Sequence, residues 1–407
     1  MKKSYILNEG YEGTKIITKS YGSHIFINKK KYIDLSNCAG SQILGHNNKV
    51  ILNSLSQLNV KKISNYANPN IYALEFSKTL KKIFPEFSKF IFCNSGSEAV
   101  MKGLRICRAL TGNEIIINVS GSWHGSLNET LYKTNRSLDS IKISDGLPYY
   151  SKKNIKFIPY GNILQSEKIL KKYKNKICCI LMEPVQGALP TIEKIKFIKF
   201  LEQYSRKNKI LFFLDEIITG LRDKGTSFQN NNNIKSDISV FGKSFGGGFP
   251  LGIIGITQKT YNALKKKKSR IFFGGTFSAN SINMFIANNI TNYLRKNKYI
   301  LNSIKKNADF FKDGINKFSK NNNLDVRVFS YSSMARVVFT KKQIIDRNQR
   351  DFLENQNNNS IKKFRDFIYK KKIFYPSNGI IFFSASLSKK DLKYVINSFQ
   401  EGLSKYF

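Results

Sequence analysis

Short apolar runs recur along this chain at intervals that suit strands laid between amphipathic helices. Phe90-Ile-Phe-Cys93, Glu114-Ile-Ile-Ile-Asn118, Ile155-Lys-Phe-Ile158, Ile177-Cys-Cys-Ile-Leu-Met182 and Ile210-Leu-Phe-Phe-Leu214 each have the length of a buried strand. Between them, residues 96–109 carry Ala99, Leu104 and Ile106 at helical spacing, and residues 193–208 predict a second helix. This alternation, from about residue 75 to 260, predicts a mostly parallel sheet covered by helices. Beyond about residue 285 the pattern changes. A long helix over 284–319 is expected, then strands near 326–329 and 334–339. A helix from about 360, a strand near 380–383 and a last helix from Lys389 follow. That order fits a smaller α+β domain closing on the first. Three polar patches read as surface loops: Gln229 to Asn233, Lys320 to Asn323 and Asn355 to Ser360.

Composition narrows the class. With 407 residues, 41% of them hydrophobic and 13% aromatic, the chain suits a globular protein of more than one domain. No run approaches the ~18–20 consecutive apolar residues of a membrane span. Met1 to Gly10 starts basic but lacks an apolar stretch and cleavage site, so no signal peptide is read there. The five cysteines and three histidines show no metal-ligand spacing. A reduced, cytoplasmic protein without structural zinc is the expectation. The formal charge of +41 points toward polyanions. The lysines, however, are spread over the whole chain among Asn, Ile, Phe and Tyr. The dense run Lys265-Lys-Lys-Lys268 has no interleaved aromatics and reads as a helix end or loop. Nucleic acid is therefore not the expected partner.

Chemistry gathers around a lysine and an acid. Lys243 follows a short apolar run and precedes a glycine-rich turn, in Phe241-Gly-Lys-Ser-Phe-Gly-Gly-Gly-Phe-Pro250. Asp215 ends the strand Leu211-Phe-Phe-Leu-Asp215. Pyridoxal phosphate (PLP) chemistry requires this pair: the amine forms a Schiff base, and the carboxylate keeps the pyridine nitrogen protonated. Asn94-Ser-Gly-Ser-Glu98 has two readings. Gly96 and Ser97 suit an anion site at a helix N-terminus, while Ser95 with Glu98 fits a capping box. Trp123 and His124, in Gly121-Ser-Trp-His-Gly125, suit either a stacking surface for a flat ring or a core contact. Glu183 stands in Met182-Glu-Pro-Val-Gln-Gly187, at a strand end where ligands of parallel sheets sit. Thr276 is flanked by glycines in Phe272-Phe-Gly-Gly-Thr-Phe-Ser278.

Taken in order, Ser-Gly-Ser-Glu-Ala, Trp-His-Gly, Glu-Pro-Val, Asp-Glu-Ile-Ile-Thr-Gly, Gly-Lys and Gly-Gly-Thr-Phe resemble the class III aminotransferases, fold-type-I PLP enzymes. The branch most similar is glutamate-1-semialdehyde 2,1-aminomutase. The likeness starts at Tyr32-Ile-Asp-Leu and Ile43-Leu-Gly-His46 and covers most of the chain. It implies an α/β fold with a mostly parallel central sheet and a smaller α+β C-terminal domain. Residues 1–45 would pack with the small domain, 46–285 would form the large PLP-binding domain, and 286–407 the small domain. The resemblance also implies roles. Lys243 corresponds to the Schiff-base lysine and Asp215 to the partner of the ring nitrogen. Ile217 would pack on one ring face and Trp123 on the other, with His124 and Glu183 beside them. Gly96 and Ser97 match the phosphate cup. Thr276 matches the threonine that reaches the phosphate of a neighbouring subunit, so a homodimer with shared active sites is implied.

The chain also departs from the pattern. Ile218 stands where many class III aminotransferases carry Gln, and Ala188 where many carry Glu and the mutase usually Asn. The mutase's late glutamate falls in a segment that here reads Ser377-Asn-Gly-Ile-Ile-Phe382, and the last arginine is Arg365. No counterpart of the mutase's N-terminal arginine segment precedes Ser20. The cofactor half of the site is intact and the usual carboxylate anchors are missing. The expectation is amino transfer between a small-molecule donor and a small carbonyl acceptor, with the aminomutase reaction as the alternative.

Overall fold

The computed structural model describes residues 15–63, 69–135 and 137–407. The reading of Met1 to Gly10 lies outside these residues. The centre is a seven-stranded sheet. Its order is Phe87–Cys93, Gly252–Thr257, Ile238–Gly242, Leu211–Asp215, Ile177–Met182, Ile115–Val119 and Ile155–Ile158. Four of the adjacent pairs are parallel. Gly252–Thr257 runs antiparallel to both its neighbours, so the sheet is mixed. Ile177–Met182 is buried along its whole length, as expected for a strand covered on both faces. The six strands other than Gly252–Thr257 run the same way and point their C-terminal ends to one edge. Gly252, at the start of the antiparallel strand, pairs with Gly242 and Cys93 at that same edge.

Helix Gly96–Thr111 leaves this edge directly after Phe87–Cys93. Ser95 caps it, accepting from the Glu98 amide at 3.1 Å, and Gly112 ends it in the left-handed conformation. A packed aromatic group holds the back of the sheet, with the Phe84 and Phe241 rings stacked at 4.5 Å. A four-stranded sheet combines Ile17–Tyr21, His24–Ile27 and Lys30–Asp34 with the C-terminal strand Ile373–Phe374. The first part of the chain is thereby tied to its last third. A three-stranded sheet of Arg327–Tyr331, Met334–Val338 and Ile380–Phe382 packs between late helices and the large sheet.

Three expectations change. The long helix is two, Ser281–Lys296 and Lys298–Asn321, because Asn297 leaves helical geometry at φ −118°, ψ 53°. The Gln229 to Asn233 patch is no surface loop. Phe228–Asn232 is a short helix whose first amides, of Phe228 and Gln229, donate to the buried Glu216 carboxylate at 2.6 and 3.1 Å. A buried acceptor at its start draws polar sequence inward. Asn355 to Ser360 forms a 3₁₀ turn and the first turn of helix Asn358–Lys370. No helix among the described residues is long and apolar enough to cross a membrane.

Candidate active site

Strand ends bring the candidate residues together. Leu211–Asp215 and Ile238–Gly242 are parallel neighbours, with Asp215 opposite Val240. The chain then turns at Lys243 in a 3₁₀ turn, Lys243–Phe245. Lys243 lies in the left-handed region at φ 41°, a conformation that costs a non-glycine residue about 1–3 kcal/mol. The amides of Gly246 and Gly247 donate to its carbonyl at 2.9 and 3.2 Å and hold the turn. Burial brings the Lys243 ammonium down to about 8, helped by the positive charge of Arg222. Glu183, Asp215 and Cys38 oppose this shift. A lysine so placed loses its proton more readily than one in water.

Asp215 is buried and held at both carboxylate oxygens. Its Oδ1 accepts from the Ile217 amide at 3.1 Å, and its Oδ2 lies 2.7 Å from Nδ1 of His124. The other ring nitrogen of His124 meets Oδ1 of Asn118 at 3.1 Å. Asn118, His124 and Asp215 form a buried polar chain that fixes the carboxylate's position. Sequence reading missed Asn118. Its signal was a polar residue inside the apolar strand Ile115–Val119.

Glu183 is buried one strand away. Its carboxylate accepts from the amides of Trp123 at 2.9 Å and Gly187 at 3.4 Å. Burial pushes it up to about 7, and the charge of Asp215 adds to this. His124 and the two amides oppose it. Trp123 is thereby anchored through its backbone while its side chain stays 42% exposed.

Gly96 and Ser97 open the helix after the first strand. A Cβ on Gly96 would lie 2.7 Å from Cδ1 of Ile217, so glycine permits the close approach of helix start and Ile217. Ser97 Oγ accepts from the Ser126 amide at 3.2 Å. Of the capping box, the Ser95 half is present, while the Glu98 carboxylate accepts from the Asn94 amide at 2.8 Å and from Lys102 instead of returning to Ser95. Thr276 stands apart. It is exposed, on a loop that also exposes Phe272 and Phe277, at 59% and 67%. Gly275 of that loop sits against Glu98.

Arg222 is fully buried with no carboxylate partner among the described residues. It donates to the carbonyls of Ile218 and Gly40 and to Ser333 Oγ, and lies 5.0 Å over the Phe382 ring. Its Gly40 contact belongs to a left-handed run, Asn37 to Gly40, that also brings the exposed Cys38 into electrostatic reach of Lys243.

These features suit PLP. An amine of lowered basicity, a buried carboxylate for a ring nitrogen, an aliphatic side chain against Gly96 and Gly242, and a glycine-opened helix start converge on one sheet edge. The fold is that of PLP-dependent transaminases. The structure superposes on an omega-transaminase from Sphaerobacter thermophilus with a TM-score of 0.88, at 19% identity over 97% of this chain and 92% of the other. It superposes on a glutamate-1-semialdehyde aminomutase from Pseudomonas aeruginosa with a TM-score of 0.85, at 14% identity over 97% and 88%. Residues 8–359 match the family described as Aminotransferase class-III, and the chain belongs to that family of PLP-dependent enzymes. Glutamate-1-semialdehyde 2,1-aminomutases are among its relatives. One from Methanosphaera stadtmanae is 30% identical over 95% of this chain and 90% of its own length. One from Wigglesworthia glossinidia brevipalpis is 31% identical over 94% and 89%.

Proposed function

We propose that this enzyme is an aminotransferase that moves an amino group between a small amino donor and a small carbonyl compound. The observation that carries the proposal is the placement of Lys243 beside a strand ending in Asp215, whose carboxylate is held by His124. When bound, PLP supplies an electron-withdrawing ring that stabilises negative charge at the carbon attached to the amino group. The protein's own groups do the rest. Lys243 holds the cofactor and, once released, shuttles a proton on and off the reacting carbon. Its lowered basicity at about 8 suits that task near neutral pH. Asp215 keeps the ring nitrogen protonated, and His124 keeps Asp215 oriented. Ile217 and Trp123 pack on the two ring faces. Gly96 and Ser97 hold the phosphate, and Glu183 fixes the turn that carries Trp123. Thr276 completes the phosphate site of a second subunit in a homodimer. The exposed Phe272 and Phe277 on its loop suit such an interface.

The second reading is glutamate-1-semialdehyde 2,1-aminomutase, favoured by the names of the relatives at about 30% identity. Against it stand Ala188, Ile218 and Ile380, apolar side chains around Gly187. The test is donor dependence. Under the first reading, amino transfer to a carbonyl acceptor needs an added donor, and glutamate-1-semialdehyde is converted poorly. Efficient formation of 5-aminolevulinate with no donor overturns it and establishes the second.

A further inference from the structure

We propose that Lys102 is a positioning residue for the phosphate site of a second subunit: paired with Glu98, it sets the loop that presents Thr276. This rests on the reading of Thr276 as completing a phosphate site across a homodimer. Helix Gly96–Thr111 carries Glu98, Lys102 and Arg105 at i, i+4 and i+7, along one stripe of its surface. Nζ of Lys102 donates to Oε1 of Glu98 at 2.6 Å, and Lys102 is only 2% exposed. Lysine is almost never so buried unless it is paired. Oε2 of Glu98 accepts from the Asn94 amide at 2.8 Å, so the pair is tied to the turn that leads into Gly96 and Ser97. The helix that opens with one subunit's phosphate cup thus carries this pair on its flank.

The loop 272–280 lies against this stripe and is held along its length. Nη1 of Arg105 donates to the Phe272 carbonyl at 2.7 Å. Gly275 rests on the ion pair: a Cβ there would fall 3.3 Å from Oε1 of Glu98, 3.7 Å from Nζ of Lys102 and 2.6 Å from Oγ of Ser278. The Ser278 amide closes a turn onto the Gly275 carbonyl at 2.9 Å. Nδ2 of Asn70 donates to the Ala279 carbonyl at 2.7 Å. Asn280 caps the next helix, accepting from the Ile282 and Asn283 amides at 3.1 and 3.4 Å. Thr276 and Phe277, inside the turn, stay exposed. They form the tip of the loop, and the Glu98–Lys102 pair lies beneath its base. Oγ of Ser278 is buried with no partner among the described residues, so that hydroxyl does not hold the turn in place of the pair. Without its lysine, the partly exposed Glu98 carboxylate turns toward water to stay solvated, and the support under Gly275 is lost.

The experiment uses mixed dimers of the full chain, with differently tagged subunits so that exchange is measured. Lys102→Met, of similar size but uncharged, is mixed with Lys243→Ala and, separately, with Thr276→Ala. If Lys102 serves the neighbouring site, the mixture with Lys243→Ala contains one intact site and regains activity. The mixture with Thr276→Ala contains none and does not. If Lys102 serves only its own subunit's site, the pattern reverses. The reversed pattern, rescue in both mixtures or rescue in neither overturns the proposal. Lys102→Met alone should bind PLP ~10-fold more weakly, with pyridoxal, which lacks the phosphate, within ~2-fold. Lys102→Arg keeps the ion pair and should recover PLP affinity. Equal losses for both cofactors, or wild-type PLP affinity in Lys102→Met, also overturns it. If Lys102→Met does not fold, Lys102→Gln enters the same two mixtures and the same patterns decide. Lys243→Ala with Thr276→Ala is the control. Exchange without rescue there ends the reading of Thr276 and this proposal with it, whereas rescue in the control beside a reversed Lys102 pattern ends the proposal alone. If no amino donor is turned over, the aminotransferase reading fails, and PLP affinity in the same mixtures still reports on Lys102.

Discussion

Nδ1 of His124 lies 2.7 Å from Oδ2 of Asp215, and both side chains are buried. The imidazole, held from its far side by Asn118, leaves the carboxylate one orientation. The acid at the strand end is thus oriented by two residues from the adjoining segment 118–124. Removing either should disturb the carboxylate without removing it.

Asp215→Ala should still take up PLP through the helix N-terminus but lose about 1000-fold in turnover, equivalent to ~4 kcal/mol in the barrier. His124→Asn should fall between that variant and wild type, with PLP uptake retained. Single-turnover kinetics with absorbance-monitored cofactor content separates the two quantities. Near-normal turnover in Asp215→Ala would refute the role.

Borohydride reduction of the yellow holoenzyme should leave the cofactor on a single peptide, the one containing Lys243. Peptide mass mapping reads the position directly. Attachment at another lysine ends the assignment.

The Lys243 amine, at about 8, should impose a limb on the pH–rate profile that rises as the pH passes through that value, because the free base is the active form. Arg222 lowers it by repulsion. Arg222→Met should therefore move the limb to higher pH, while Arg222→Lys keeps it near the wild-type position. A limb that stays put in Arg222→Met, with the fold intact by circular dichroism, contradicts the coupling.

Glu183 is held near 7 against an ordinary 4.5, with burial as the first cause. The native state therefore binds more protons than the unfolded one between these values. The stability this group contributes is fully present below about 4.5 and is lost as pH rises through about 7. Glu183→Gln should remove that slope, at most about 1.4 kcal/mol per pH unit. Urea unfolding of cofactor-free protein at pH 5, 6, 7 and 8 measures it. Parallel curves for variant and wild type would show that Glu183 titrates normally.

Lys243→Ala and Thr276→Ala proteins, each impaired alone, should regain activity when mixed, since one site of a mixed dimer carries neither lesion. Subunit exchange is followed with differently tagged chains. Exchange without any rescue places Thr276 outside the shared site.

The main strands were legible because buried parallel strands are short, nearly all apolar and bounded by polar turns. Ile155–Ile158 and Ile177–Met182 have the boundaries that their hydrophobicity indicates. Gly252–Thr257 was not legible. Its apolar residues follow the glycine-rich turn after Lys243, and nothing local marks an antiparallel return. Asn297 broke an otherwise continuous helical pattern, and one polar residue in a polar-rich sequence carries no such signal.

Sequence alone determined the fold class and the family and singled out Lys243 and Asp215, because those rest on residue types at strand ends and on the order of short motifs. Tertiary structure decided what surrounds them. Only the packing of distant segments brings Asn118 behind His124, Arg222 near Lys243, and Arg350 onto the carbonyl of Ala188. A buried charge is defined by what it faces after folding.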